Sequence, residues 1–153
     1  MLEGINRVLI LDRVADPGNA GALVRTAVAF GARVLMTRGA VALANDKLVR
    51  ATAGVCFHPK AAAEVGPAPE LATSLQRSGW KILALDAGAT QELHEFKPGP
   101  EDKIALVVGN ESSGIDWGAW GTAGRLRIAM HGRVESLNAS ISGAIALYAL
   151  TRP

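Results

Sequence analysis

The sequence lacks the residues that define several common classes of protein. Its 153 residues include one cysteine, Cys56, so neither an internal disulfide nor a CxxC metal or redox site can form. Aromatic residues make up only 5% of the chain, which predicts a core of aliphatic and small side chains. No apolar run reaches the roughly 18–20 residues of a membrane-spanning helix, and the N-terminus lacks the basic-then-apolar order of a signal peptide. These absences favour a cytoplasmic protein with no membrane partner.

Common ligand-binding motifs are missing as well. Neither the dinucleotide fingerprint GxGxxG nor the phosphate loop GxxxxGK[ST] occurs. The three histidines, His58, His94 and His131, have no metal-ligand spacing, so no metal is expected. Hydrophobic residues make up 49% and charged residues 20%, which excludes intrinsic disorder. The length favours a single domain spanning residues 1–153.

Charge is distributed unevenly along the chain. The net charge is +2, yet residues 1–60 carry eight Lys or Arg against four Asp or Glu, while residues 61–153 carry eight against ten. The basic excess of the N-terminal part suits a surface that faces phosphates. A solvated surface explains it equally well, and composition leaves both interpretations open.

The order of apolar segments predicts an α/β fold. Short aliphatic runs predict strands, and apolar residues at helical spacing predict helices. The predicted strands are 7–12, 33–37, 81–86, 104–109 and 126–130, and the predicted helices are 20–30, 46–53, 69–78 and 136–150. Asp46 is the expected N-cap of the second helix, and residues 57–69 are expected to form a connection. Alternating strands and helices imply right-handed crossovers and a mostly parallel sheet with helices on both faces.

Polar stretches lie at the ends of three predicted strands, where ligands of parallel sheets bind and where they could converge in space: residues 12–25, 109–116 and 130–140. In residues 16–25, a helix is predicted to begin near Asn19, and the free backbone N–H groups of its first turn favour an anion. Arg25 follows Asn19 by six residues. A capped helix with a surface arginine is the simpler interpretation. In residues 109–114, two glycines bracket a polar loop that contains Glu111. Such a loop suits a flat heterocycle, and it also suits an ordinary turn between a strand and a helix.

A third polar stretch precedes the last helix. Ser136, Asn138 and Ser140 lie at the start of an otherwise apolar segment, where such residues are favoured as N-caps. One cap needs only one of them, so the stretch contains more small polar residues than helix initiation requires. Ser136 and Ser140 would share a helix face if both were helical.

Together the three stretches resemble the motifs of SpoU/TrmH-type RNA 2′-O-ribose methyltransferases, within the SPOUT superfamily. The matching segments are DPGNAGALVRTAVAFGA at 16–32, LVVGNESSGI at 106–115 and IAMHGRVESLNASIS at 128–142. The resemblance covers nearly the whole chain and implies a C-terminal trefoil knot, S-adenosylmethionine as cofactor and RNA as substrate. It also implies a homodimer whose active site draws on both subunits. The Asp-Pro-Gly-Asn form of the first motif slightly favours ribosomal RNA over tRNA.

The resemblance further assigns roles to individual residues. The positions that match the cofactor pocket are Val108, Gly109, Ile128, Met130 and Leu137, and those that match the polar set around the reacting ribose are Asn19, Glu111, Ser136 and Asn138. Arg25 matches the catalytic arginine. A guanidinium stays protonated in proteins, with a pKa above roughly 12, so an electrostatic role is favoured over transient loss of its proton. Ala129 departs from the pattern, because relatives usually have proline there.

Other interpretations remain. A catalytically silent knotted domain that binds RNA would share the fold, although the presence of Arg25 and Asn138 favours an enzyme. A flavodoxin-like small-molecule binder would explain the sheet but not the three motifs. No separate N-terminal RNA-recognition domain is expected in this chain. Trp80, Trp117 and Trp120 suit core or interface packing better than base stacking, with the last two a candidate dimer-contact or substrate-facing pair.

Overall fold

A seven-stranded sheet runs through the protein in a computed structural model that describes residues 2–134 and 136–151. The strand order is β3-β2-β1-β6-β4-β7-β5, and every one of these neighbouring pairs is parallel. The strands are β1 (Arg7–Leu11), β2 (Arg33–Met36), β3 (Ala62–Glu64), β4 (Lys81–Leu85), β5 (Gln91–Glu92), β6 (Ile104–Val108) and β7 (Gly124–Arg127). The prediction of a mostly parallel sheet is confirmed.

Five helices and two short 3₁₀ turns connect the strands. The helices are α1 (Pro17–Ala29), α2 (Asp46–Thr52), α3 (Ala68–Arg77), α4 (Trp117–Trp120) and α5 (Ala139–Thr151), and the 3₁₀ turns are Val55–Phe57 and Leu93–Glu95. None of the helices in the described ranges is long and apolar enough to cross a membrane.

Alternate residues of each central strand enter two separate hydrophobic cores. Leu9 and Leu106 face the core formed with α1, α2 and α5, whereas Val8 and Ala105 face the core formed with α3 and α4. This division follows from the two-residue period of a strand. Because both faces are covered, all five residues of β6 are buried, as their uninterrupted aliphatic sequence predicts. Helices therefore lie on both faces of the sheet, as predicted.

Helix α1 begins three residues earlier than predicted. The Asp16 carboxylate caps it by accepting a hydrogen bond from the backbone N–H of Asn19 at 2.7 Å, and Pro17 occupies its first position. The helix ends just before Gly31, whose positive φ of 69° allows the chain to turn toward β2. The cap therefore places Asn19 inside the first turn of α1, at the carboxyl edge of the sheet.

Two predictions in residues 45–69 are wrong. Asn45, not Asp46, caps α2, because its side-chain oxygen accepts from the backbone N–H groups of Lys47 and Leu48. The expected connection at 57–69 contains β3 and the start of α3. The sequence of β3 is Ala-Ala-Glu, which has no β-branched residue, so its pairing with β2 rather than local propensity makes it a strand.

The boundaries near the C-terminus also differ from the predictions. The strand expected at 126–130 is β7, which begins at Gly124 because it pairs with β4 from that residue onward, and residues 128–130 lie beyond its end. The last helix begins at Ala139 rather than at Ser136, so Ser136 and Ser140 do not share a helix face. Strand β5 and helix α4 were not predicted, since each contains only two to four residues.

Candidate active site

A cleft of about 500 Å³ lies beyond the carboxyl ends of β4, β6 and β7. This is the position at which parallel α/β sheets bind ligands, and the volume lies within the range of about 300–1,000 Å³ for small-molecule sites. All three polar stretches of the sequence contribute to it. The lining consists of Asn19, Leu85, Asp86, Ala87, Val108, Gly109, Asn110, Glu111, Gly114, Ile115, Leu126, Ile128, Met130, Ser136, Leu137, Asn138, Ala139 and Ser142.

The loop after β6 folds back tightly on itself. Asn110 and Gly114 exchange backbone hydrogen bonds of 3.1 and 2.9 Å, and the positive φ of Gly114, 68°, permits this closure. A Cβ atom on Gly109 would lie 2.5 Å from the carbonyl carbon and oxygen of Gly114, so only glycine fits there. The Asn110 side chain accepts from the backbone N–H groups of Ser112 and Ser113. The loop is thus a locally bonded turn that also forms one wall of the cleft.

A chain of hydrogen bonds connects the three motifs across the cleft. The Asn19 amide donates to Glu111 Oε1 at 3.3 Å, and Asn138 donates to Asn19 Oδ1 at 3.0 Å. Asn138 Oδ1 then accepts from the backbone N–H and the hydroxyl of Ser140, at 2.9 and 2.6 Å. Asn138 is therefore the residue that caps α5, and the same side chain fixes the position of Asn19.

The ionised Glu111 determines the orientation of both asparagine amides. A carboxylate can only accept hydrogen bonds, so Asn19 must turn its NH₂ group toward Glu111 and its oxygen toward Asn138. Asn138 must then present its NH₂ group to Asn19 and its oxygen to the start of α5. One charged group thus fixes the direction of every bond in the chain, which preorganises this wall of the cleft.

Hydrogen bonding holds the pKa of Glu111 below its ordinary value. Partial burial acts in the opposite direction and is the largest single influence. It is outweighed by hydrogen bonds from the residue's own backbone N–H, the Asn19 amide and the backbone N–H groups of Ala15 and Asp16. Glu111 is consequently ionised at neutral pH and a weak proton acceptor.

Nine of the ten site residues predicted from the sequence line this cleft. They are Asn19, Glu111, Ser136 and Asn138 from the polar set, and Val108, Gly109, Ile128, Met130 and Leu137 from the cofactor set. Arg25 is the exception. It lies exposed on α1, outside the cleft lining, and its guanidinium has no hydrogen-bonding or ionic partner within residues 2–134 and 136–151.

Arg13 is a structural element of the site that the sequence analysis missed. Its backbone has a positive φ of 57°, which is uncommon outside glycine, and its carbonyl accepts from the Asn110 amide at 2.8 Å. Its guanidinium lies 3.2 Å from the fully buried Asp12 carboxylate and 3.3 Å from the Gly114 carbonyl. Arg13 therefore joins the end of β1 to the loop after β6. No sequence signal marks the unusual backbone.

The core packing favoured for the tryptophans is confirmed at Trp80 and Trp120, so Trp120 does not form the candidate surface pair with Trp117. Trp120 is fully buried in the core beneath α3, whereas Trp117 is 36% exposed. The Arg125 guanidinium lies 4.5 Å from the centre of the Trp117 ring and donates to Asp86, which lines the cleft. The first and last residues of one short helix thus have different surroundings, Trp120 in the core and Trp117 at the rim of the site.

The cleft contains two carboxylates, Asp86 and Glu111, and its lining includes neither lysine nor arginine in the part of the chain that the structure describes. No group of histidine, cysteine or carboxylate side chains suited to a metal ion occurs among those residues either. Fold and site together define a parallel α/β domain with a ligand cleft at the carboxyl edge of its sheet, lined by both apolar and polar residues and bearing two carboxylates.

The chain belongs to the SpoU rRNA Methylase family, whose pattern matches residues 6–148. It is 34% identical to the 23S rRNA (guanosine(2553)-2′-O)-methyltransferase RlmP of Bacillus subtilis, over 97% of this chain and 59% of that protein. It is 37% identical to the 23S rRNA (guanosine-2′-O-)-methyltransferase RlmB of Ralstonia nicotianae, over 99% of this chain and 60% of that protein. The chain thus spans about three fifths of the length of these relatives.

A solved structure shares the fold. An AdoMet-bound rRNA methyltransferase from Sinorhizobium meliloti superimposes with a TM-score of 0.84 and 29% identity, over 94% of this chain and 55% of that one. The similarity extends over all three motifs of this chain, since the family match includes each of them up to residue 148.

Proposed function

We propose that the protein transfers a methyl group from S-adenosylmethionine to a ribose 2′-hydroxyl of RNA, with ribosomal RNA favoured. The observation that carries the proposal is the hydrogen-bond chain from Glu111 through Asn19 to Asn138, which joins all three family motifs along one wall of the cleft. The names of the two relatives, both 23S rRNA 2′-O-methyltransferases, support the substrate class.

The cleft has the chemistry that this cofactor requires. Apolar side chains, Ile128, Met130 and Leu137 among them, offer contact surface for an adenosine, while the carboxylates of Asp86 and Glu111 suit a ligand that carries positive charge. When bound, the cofactor supplies an activated methyl group on a sulfonium. Val108 and Gly109 at the end of β6 complete the set of residues proposed to hold it.

The remaining task of catalysis is to position the ribose and stabilise the charge that develops on its oxygen. Asn19, Ser136 and Asn138 are proposed to orient the ribose, since their side chains line the cleft. Glu111 is proposed to hold Asn19 rather than to accept the hydroxyl proton, because its pKa is lowered and its oxygens already accept several hydrogen bonds. Arg25 is proposed to bind the neighbouring phosphate and stabilise the forming alkoxide electrostatically.

A second copy of the chain is proposed to complete the site. Ile141, Ile145 and Tyr148 expose apolar surface along one face of α5, and Val28 and Phe30 do so at the end of α1. The Phe30 and Tyr148 rings lie 5.8 Å apart, so the two groups form one patch, the α1–α5 patch. A contiguous apolar patch of this kind marks an interaction surface. Arg25 lies on α1 one turn before Val28, so dimerisation through the patch would bring it toward the partner subunit.

We also propose that the C-terminal part of this catalytic domain forms a trefoil knot. Two observations support it. The loop after β6 and the segment between β7 and α5 both line the same cleft, and α5 then packs against α1. The two chain segments therefore meet at the centre of the sheet rather than at its edge, as a threaded connection requires.

Calorimetric titration of S-adenosylmethionine tests the cofactor proposal. We expect the wild type to bind about one molecule per subunit, and Leu137→Arg to lose binding because a long cation enters the apolar cleft. Val134→Arg is the matched control, since Val134 is exposed in the same segment and outside the cleft lining. A folded wild type that binds RNA but not the cofactor would support the silent RNA-binding domain instead.

Sedimentation tests the proposed dimer. Ile145→Arg places a charge in the α1–α5 patch and is expected to give monomers that no longer methylate RNA, while Val134→Arg remains dimeric. A wild type that sediments as a monomer yet methylates RNA would contradict the shared site.

A further inference from the structure

The turn after α2 presents an aromatic side chain to solvent. Cys56 is buried and anchors the 3₁₀ turn Val55–Phe57 against α1, whereas the next residue, Phe57, is 63% exposed. This is the most exposed large hydrophobic side chain among the described residues. The side chain contributes little to the core, so its ring face is free to contact a ligand.

Three cations without carboxylate partners lie within ten residues of Phe57 in the sequence. Lys47, Arg50 and Lys60 are exposed, and no ion pair links any of them to an acidic residue in the described ranges. Between residues 45 and 63 the only acidic residue is Asp46. An exposed ring among unpaired cations is the combination that holds single-stranded nucleic acid, because bases stack on the ring while cations follow the phosphates.

This surface is adjacent to the helix that carries Arg25. Helix α2 packs closely on α1, where a Cβ atom on Gly21 would overlap the Cβ of Ala51. Arg25 follows Gly21 by one helical turn and lies on the same side of α1. The basic surface of α2 and its turn therefore adjoins the cation proposed to contact the substrate phosphate.

We propose that α2 and the following turn bind single-stranded RNA, with one base stacked on Phe57 and phosphates held by Lys47, Arg50 and Lys60. The inference rests on the proposed function for the identity of the RNA as a substrate. It adds a surface outside the cleft that holds the strand near the methylated nucleotide. A ring accepts any base, so this surface supplies affinity rather than sequence selection.

Charge favours RNA over a second protein copy at this surface. A twofold contact places the same patch of both subunits face to face, so Lys47, Arg50 and Lys60 would meet their own copies. Like charges brought together in an interface are unfavourable. The α1–α5 patch, by contrast, offers apolar side chains from two helices to such a contact.

Fluorescence anisotropy with a fluorescein-labelled 20-nucleotide single-stranded RNA of mixed sequence tests the proposal. We expect Phe57→Leu to weaken binding about tenfold, as for the loss of one stacked base, and Phe57→Trp to retain it. Arg50→Gln and Lys60→Gln should each weaken binding and reduce the slope of log K against log salt by about 0.7. Arg77→Gln, an exposed cation on α3 across the sheet, is the matched control and should leave affinity unchanged.

Two further measurements separate this inference from the proposed function. In one outcome, the wild type binds S-adenosylmethionine, and Phe57→Leu and Arg50→Gln bind RNA as tightly as the wild type. The proposed RNA surface is then wrong, and the proposed enzyme function stands. If the wild type binds RNA through Phe57 but no cofactor, the surface stands and the enzyme proposal fails. A Phe57→Leu variant that sediments as a monomer, beside a dimeric wild type, would overturn the RNA surface in favour of a protein contact.

Discussion

The positive charges on strands β4 and β7 are paired with carboxylates, whereas those on α1 and α2 are not, within the described residues. At the end formed by β4, β7 and β5, Lys81 lies 2.7 Å from Asp102, Arg127 lies 2.6 Å from Glu92, and Arg125 pairs with Asp86. On α1, α2 and the turn that follows, Arg25 and Arg50 have no carboxylate partner in the described part of the chain. Cations of the first group tie strands and loops together, whereas those of the second remain available to an anionic ligand.

This difference shows what net charge alone conceals. The N-terminal 60 residues have a basic excess, yet their cations include Arg13, which is committed to the buried Asp12. What matters for phosphate binding is which cations lack a partner, and that depends on tertiary structure. The overall charge of +2 is therefore a poor guide to RNA binding, because it does not say which cations are paired.

The largest expected effect comes from removing the unpaired cation nearest the site. Arg25→Ala should reduce methyl transfer by at least about 100-fold, in the range for a lost electrostatic stabiliser of a developing oxyanion. Cofactor affinity should remain unchanged, because Arg25 lies outside the cleft lining. Single-turnover transfer of a radiolabelled methyl group to ribosomal RNA measures the rate, and calorimetry measures the affinity.

Arg127→Ala is the matched control, since this arginine is paired with Glu92 and neither residue lines the cleft. Its rate should equal that of the wild type. An Arg25→Lys variant with nearly full activity would show that a planar guanidinium is not required, and equal losses in Arg25→Ala and Arg127→Ala would remove the distinction between the two groups of cations.

The next effect concerns the contact that holds α2 beside α1. Gly21→Ala should destabilise the protein by about 1–3 kcal/mol, because the added methyl group overlaps Ala51. Better helix propensity offsets about 1 kcal/mol of this cost. Urea unfolding measures the difference. Gly132→Ala is the control, since an added Cβ there meets nothing within 4 Å. If both variants unfold alike, the close contact of the two helices is not a constraint.

Much of the fold followed from the sequence because its central strands are uninterrupted aliphatic runs. β1, β4 and β6 were located within a residue or two, and the turn chemistry after Asp12 correctly placed a helix there. β3 and β5 were missed, because edge strands of two or three residues are determined by their neighbours rather than by local propensity. The start of β7 was missed because its pairing with β4 determines it, and the start of α5 was missed because Asn138 rather than Ser136 caps the helix.

The residues that line the cleft could be predicted from the three motifs, but the hydrogen bonds between the motifs could not. Nine of the ten predicted site residues line the cleft, because motifs at the carboxyl ends of neighbouring parallel strands lie at the same edge of the sheet. The hydrogen bond between Asn19 and Asn138 joins residues 119 positions apart, so nothing local announces it. The position of Arg25 outside the cleft likewise depends on how α1 is oriented, which periodicity does not determine.

A third effect compares two carboxylates whose pKa values are both lowered. A hydrogen bond from Lys81, and then one from the Gly99 backbone, lowers the pKa of the exposed Asp102, whereas Glu111 owes its lowered pKa to uncharged donors. Stability from Glu111 is fully present above its unfolded pKa of about 4.3 and is lost as pH falls through the lower folded value. Glu111→Gln should therefore lower stability at pH 7, by no more than about 1 kcal/mol because the side chain is exposed to solvent.

Urea unfolding between pH 3 and pH 7 checks this sign. The difference in free energy of unfolding between the wild type and Glu111→Gln should become smaller as the pH falls below about 4.3. Asp102→Asn is the comparison, and its effect should weaken at high salt because its partner Lys81 is exposed. A difference at Glu111 that grows with acid would mean that the carboxylate is protonated in the folded state.

The smallest effect is on the free energy of unfolding, which we compare for the paired Arg127 and the unpaired Arg50. Arg127→Ala should cost less than about 1 kcal/mol, because exposed ion pairs contribute little, and the cost should shrink as salt screens the pair with Glu92. Arg50→Ala breaks no ion pair among the described residues and should cost only the small amount, about 0.3–1 kcal/mol, of a cation in the last turn of a helix. Thermal unfolding at low and high salt measures both. Should Arg50→Ala cost clearly more than about 1 kcal/mol at low salt and lose that excess at high salt, Arg50 has a carboxylate partner in solution. The cations of α2 are then no longer free to bind a phosphate.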